Sequence, residues 1–444
     1  MGQSRHNLAA LAAIVGFVAI SGALLHVAQG QFARSSYTVP LDREPINYYR
    51  EDLNDPVAKL QAKLDAGDVE LEHDAKFGYL PAVLDALGIP ESSQGLVFSR
   101  TSLQLRLISP TTPRAIYFND DVYIGYVQNS DMLEISTVDP EVGGVFYTLE
   151  QRQGHPQFVR DHQCLQCHQT ARTQGVPGHL VRSVFTNDAG MTGAGPQFVT
   201  DHNSRFSERW GGWYVTGTHG RARHMGNVTA ETVSRYDPPL DREAGANVAD
   251  LSDKFNTNRY LAGGHSDLIA LMVLEHQTQM HNVITRAGYE AKMVLHQHAR
   301  LNEGEDEPLS EGAERRLNQA ADAVLRYMLF VDEEILADPV KGTTSFAEDF
   351  QAKGKRDSSG RSLRDLDLQR RLFAYPCSYL IYSDAFDALP DVVLDRLYRR
   401  LWEVLTDQDE SGDFDNLASR HRQAILEILR ETKEGLPAYF HDDA

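Results

Sequence analysis

The stretch "AIYFNDDVYIGYVQNSDMLEISTVDPEVGGVFYTL" runs from Ala115 to Leu149. AIYF, VYIGYV, LEISTV and VFYTL are short runs rich in β-branched and aromatic residues. NDD, QNSD and PEVGG separate them, and such residues favour turns. LVFS, from Leu96, and the PTTP that follows it extend the pattern upstream. The spacing predicts an antiparallel meander. Before it, DPVAKLQAKL and GYLPAVLDALGI carry helical spacing, and Gly88 ends the second. After it, HLVRSVF and GGWYVTG predict two further strands among glycine-rich loops.

From about His265 the pattern turns helical. Ser266 is expected to cap a long helix reaching past Leu295. A second helix should start near Ser310, with Leu317, Ala321, Val324, Met328, Val331 and Ile335 as its buried stripe. A third, opened by Pro390, should bury Val393, Leu397, Leu401 and Val404. A fourth is expected over Leu417–Leu429, and QAKGKRDSSGRS reads as a mobile polar loop. The fold class is therefore α+β. An N-terminal segment (1–30) precedes an α+β region (31–263) and a helical region (264–444).

The chain has 444 residues, is 41% apolar and carries a net charge of −20. Such acidity argues against a nucleic-acid partner, because phosphate binding needs a basic surface. At the N-terminus, Arg5 and His6 precede an uncharged apolar run from Leu8 to Ala28. That run predicts a signal peptide, with Ala28-Gln29-Gly30 as the cleavage site, or a retained transmembrane anchor. Either reading places the rest of the chain outside the cytoplasm, in the periplasm or on the outer face of the inner membrane.

Directly after the meander comes "RDHQCLQCHQTA", Arg160 to Ala171. It holds Cys164 and Cys167, two of the three cysteines, and His168 follows at once. Cys-x-x-Cys-His is the attachment signal of c-type haem. The spacing lets one short turn present both sulfurs to one porphyrin edge, and the next imidazole then meets the iron. A zinc site could take Cys164, Cys167 and either His162 or His168, but no second pair at zinc spacing completes it, and His219 and His224 are the nearest substitutes. A redox dithiol would need a strand-to-helix setting that GHPQFVRDHQ does not provide. Cys377, in AYPCSYLIYS, reads as a buried structural thiol.

CLQCH resembles the attachment signature of c-type cytochromes. RWGGWYVTGTHGRARHMGN and LMVLEHQTQMHN are similar to stretches of large bacterial proteins with a single-haem cytochrome c domain. The resemblance implies covalent haem c, with Cys164 and Cys167 as thioether cysteines and His168 as the proximal iron ligand. It further implies electron transfer and a redox partner protein. The motif lies far into the chain, so the small all-helical cytochrome c fold does not account for most of it.

Candidates for the second axial position are Met225 and His224, in THGRARHMGN, and His276 on an apolar helix face, with Met191 weaker. Arg209, Trp210, Trp213 and Tyr214 could wall a porphyrin and hold a propionate. DQDESGDFDNLA imitates a calcium loop, but Ala418 stands where a bidentate Glu is needed. The leading expectation is an exported mono-haem electron carrier. The alternative is a haem enzyme or a gas or redox sensor with an open distal site.

Overall fold

The computed structural model describes residues 39–231, 233, 239–302 and 307–441. The apolar run from Leu8 to Ala28, and with it the signal-or-anchor expectation, lies outside them.

The meander forms. Strands β1 (Gly95–Val97), β2 (Arg114–Phe118), β3 (Val122–Tyr126), β4 (Met132–Asp139), β5 (Gly143–Glu150) and β6 (Phe158–Arg160) pair antiparallel in sequence order. The hairpin β7 (Val181–Thr186) and β8 (Thr192–Thr200) stands apart as its own two-stranded sheet. Strand β9 (Trp213–Tyr214) returns to β1 and closes the order β6-β5-β4-β3-β2-β1-β9. Strand β8 carries no sequence signal, since TGAGPQFVT is broken by glycine and proline. Its partner β7 holds it in register across a bulge between Val184 and Thr186.

Helices α1 (Pro56–Ala66) and α2 (Leu80–Ala86) cover one face of the sheet. That face presents Ala115, Tyr117, Ile124, Leu133 and Ile135 to a core shared with Leu60 and Val83. After the short turn α3 (Leu165–His168), the long helix α4 (Leu268–Leu301) packs on the opposite face. It is joined by α5 (Glu311–Met328), α6 (Phe346–Ala352), α7 (Asp384–Asp387), α8 (Asp391–Leu405) and α9 (Ser419–Thr432). Phe118, Tyr123 and Val138 of the sheet share one core with these helices, so packing runs across the 263/264 boundary.

Two helix ends differ from expectation. Asp267, not Ser266, caps α4, accepting from the backbone N–H of Ile269 and Ala270. Ser266 is engaged elsewhere: its Oγ donates to Tyr214 O and accepts from Leu96 N, tying the helix start to β9 and β1. Helix α5 stops at Met328 because Phe330 and Asp332 adopt left-handed φ angles of 56° and 67°. Ile335 therefore leaves the stripe and is exposed. Past Ala352, where α6 ends, the QAKGKRDSSGRS segment is irregular but pinned. Asp357 in it is buried and accepts from Arg361, and Ser358 donates to Glu431.

Candidate functional site

The cysteine motif folds as two consecutive turns. Asp161 accepts from Gln163 N at 2.8 Å and caps a 3-10 turn over His162–Cys164, which continues into α3. Leu165 is buried and anchors this turn, while Cys167 is exposed and Cys164 partly so. Burial, with Asp161 and Glu134 adding, pushes the Cys164 thiol up to about 12.

His168 is the most constrained residue of the motif. Its carbonyl accepts from Gly178 N at 2.9 Å and from Thr173 Oγ1 at 3.1 Å. Its Nδ1 lies 2.9 Å from Gly178 O. A carbonyl only accepts, so Nδ1 carries the proton and the lone pair stays on Nε2. The ring packs on Phe146 at 4.7 Å between centroids. Burial lowers its pKa and keeps the imidazole neutral. Position 178 favours glycine, because a Cβ there would fall 2.1 Å from Asn282 Oδ1 and force Asn282 to move. Asn282 in turn accepts from His179 N and donates to His179 O, locking the segment to α4.

The sheet face beside His168 is partly uncovered. Along β4, Leu133 and Ile135 point into one core, while Met132, Glu134 and Ser136 on the other face are half-buried. Register places Ile116, Gly125, Glu134, Thr148 and Val159 side by side across β2 to β6. Helix α4 reaches only one end of this face, where Gln277 donates to Tyr123 Oη. The other end, half-buried at Ile116, Glu134 and Thr148, is a bay only in that sense, and it lies beside α3 and near Arg182 of β7. Gly125 has no side chain, so Arg114 reaches across β3 to Glu134 at 2.7 Å. The charges of Arg114, Glu134 and Arg182 all act on the His168 ring. Arg114 Nε, Glu134 Oε1 and Arg182 Nε are buried without a hydrogen-bond partner among the described residues.

Behind His168 stands a histidine that the sequence did not single out. His179 is buried, neighbours Tyr123 at 4.6 Å and His281 at 6.3 Å, and both its ring nitrogens lack partners. Burial lowers its pKa, with His281 and His168 adding. It packs on the same Phe146 ring as His168, at 5.9 Å between centroids. Only the fold reveals it, since HLVRSVF reads as an ordinary strand.

The distal candidates are engaged elsewhere. Met225 is buried behind β7, where its sulfur accepts from Ser183 Oγ at 3.7 Å. Ser183 points to the opposite side of the strand from Arg182, so Met225 does not face the bay. His224 packs against Phe206, Trp210 and His219, and its Nδ1 accepts from Gly226 N. His276 is buried, with His202 Nδ1 at 2.9 Å and Ser378 Oγ at 2.8 Å. Met191 is exposed at the tip of the β7–β8 hairpin. The physical reason is shared: His224, Met225 and His276 pack into the apolar interior between β7 and the helices.

The aromatic cluster also serves the interior. Arg209 is buried against Glu275 at 3.2 Å, and Trp210 is fully buried. Trp213 Nε1 donates to Arg182 O and Tyr214 Oη to Pro110 O. In DQDESGDFDNLA, Asp407, Asp409 and Asp413 face Arg422, Arg400 and Arg326, so three of its five carboxylates are paired with arginines. Cys377 is fully buried, and burial pushes its thiol up to about 12.

Two expectations are corrected. No helix among the described residues is long and apolar enough to cross a membrane, so the transmembrane reading does not hold for them. Nor do the described residues bring together three or more His, Cys, Asp or Glu side chains that could hold a metal ion, so the chain builds no metal-binding centre from its own side chains there. No family model matches the chain, and no curated protein or solved structure is significantly similar to it.

Proposed function

We propose that the chain is a c-type haem protein. More particularly, we read it as an exported mono-haem protein that passes single electrons to or from a partner protein. The observation that carries this is the 2.9 Å contact of His168 Nδ1 with Gly178 O, beside one exposed and one partly exposed thiol. A ligand imidazole is typically oriented in this way, with its second nitrogen donating to a backbone carbonyl. The porphyrin would supply the four further nitrogens that the chain does not.

The residues divide the work. Cys164 and Cys167 would each add sulfur to one carbon of a haem vinyl group and the thiol proton to the other, closing two thioethers. His168 would present Nε2 to the iron, and Thr173 and Gly178 hold its backbone. The half-buried face around Gly125 offers a floor for a flat group. When bound, haem supplies an iron that cycles between ferrous and ferric states. A reactive dithiol needs a lowered pKa, and the Cys164 thiol is shifted the opposite way.

The placement of Met225, His224 and His276 favours a second reading, a haem enzyme or sensor with an open distal side. The test is production in an export-competent host with haem c maturation. A Soret band that survives acid–acetone extraction is expected, and it should disappear in the Cys164→Ala/Cys167→Ala double variant. Colourless wild-type protein overturns the assignment. Rapid carbon monoxide binding to the reduced protein selects the open-site reading, and a low-spin spectrum unaffected by the gas selects the electron carrier.

A further inference from the structure

We propose that Arg114 and Glu134 form a haem-facing ion pair, in which Arg114 takes a haem carboxylate and Glu134 fixes a negative charge near the iron. This rests on the haem reading above and assigns residues within the same bay.

Four observations support it. The pair lies on the half-buried face of the sheet, on the same side as Phe146, against which His168 packs. It crosses β3 at Gly125, where a Cβ would lie 3.5 Å from Glu134 Oε2. Each partner keeps one buried polar atom unused, Arg114 Nε and Glu134 Oε1, so each has capacity for a further hydrogen bond. A native protein rarely leaves such atoms unpaired, and a missing ligand is one explanation. Finally, Arg182 borders the bay from β7 with its own unused Nε, so two guanidinium groups border the bay. Arginine is the side chain best suited to a carboxylate, through its planar fork of donors. Arg209, the sequence-based choice for a propionate, cannot serve, because Glu275, His202 O and Ser204 O already occupy it in the core.

Charge next to an iron biases its oxidation state. A carboxylate stabilises the ferric form, and a guanidinium the ferrous form. Removing each partner should therefore move the midpoint potential in opposite directions.

The experiment compares matured wild-type protein with Glu134→Gln, Arg114→Gln and a remote control, Glu314→Gln, whose partner is Arg396 on α8. Spectroelectrochemical titration should place Glu134→Gln above wild type and Arg114→Gln below it, with the control unchanged. Arg114→Lys should recover part of the Arg114→Gln shift. Covalent haem is read separately by mass. Protein that carries haem but shows neither shift overturns this assignment and leaves the haem reading intact. Protein that never carries haem overturns the haem reading itself. If Glu134→Gln fails to fold, Glu134→Asp supplies the comparison, with a smaller upward shift expected as the carboxylate retreats.

Discussion

His168 Nδ1 donates to Gly178 O across 2.9 Å, and the same glycine returns its N–H to His168 O. This reciprocal pair fixes both the tautomer and the aim of the imidazole before any cofactor arrives. Gly178→Ala should loosen it, because the new Cβ would collide with Asn282 Oδ1. Overpacking of this kind costs about 1–3 kcal/mol, read as a lower urea midpoint. In matured protein the reduction midpoint should rise as the Nδ1 bond weakens. An unchanged midpoint in both measurements would show that the pair does not position the ring.

Thiol reactivity offers a cofactor-free test. In protein made without haem, iodoacetamide should label the exposed Cys167 first and the shielded, high-pKa Cys164 much more slowly. Cys377 should stay unlabelled until the chain unfolds. Peptide mass mapping over time gives the order. Early labelling of Cys377 would contradict its place in the core.

Arg209 and Glu275 form a buried ion pair between the Phe206 turn and α4. Above pH 7, where Glu275 is ionised, Arg209→Met removes one partner and strands the other, a change that typically costs about 3–5 kcal/mol. The Arg209→Met/Glu275→Leu double variant should recover most of that loss. Denaturant unfolding of the three proteins measures it, and additive losses would rule out direct coupling.

The same glutamate predicts a pH effect. Burial holds Glu275 up to about 7, with Arg209 opposing. The native state therefore keeps a proton that the unfolded chain releases above about 4.3. Stability from this group is fully present below that value and is lost as pH rises toward 7. Glu275→Gln should flatten the profile over this window by up to about 1.4 kcal/mol per pH unit. Equal slopes for wild type and variant would refute the shift.

His276 acts with the opposite sign. Burial lowers it to about 3, with His281 adding. Below about 6.5 the unfolded chain takes up a proton that the native state refuses. Its contribution is present above that pH and is lost as pH falls toward 3. His276→Gln should reduce the acid-side slope, measured as urea midpoints between pH 7 and 4. A slope identical to wild type would mean that another group carries the acid sensitivity.

Much of this molecule is local chemistry and is legible as such. The meander follows from short β-branched and aromatic runs punctuated by turn residues, and helices α5 and α8 follow from their apolar stripes and from Ser310 and Pro390. The turn geometry of Cys164, Cys167 and His168 is likewise set by adjacent residues, with Asp161 capping the first turn. Strand β8 was not legible, because its conformation is imposed by β7 and not by its own residue preferences.

What surrounds the motif was decided by tertiary structure alone. Sequence spacing ranked Met225, His224 and His276 as partners for His168, since each is a competent ligand type. Packing instead turned them into the interior and set His168 against Phe146, Gly178 and His179. Residues far apart in the chain meet only when the sheet, the β7–β8 hairpin and α4 close on one another. No periodicity within one segment records which face of another segment it will touch, so the motif was written in the sequence and its neighbourhood was not.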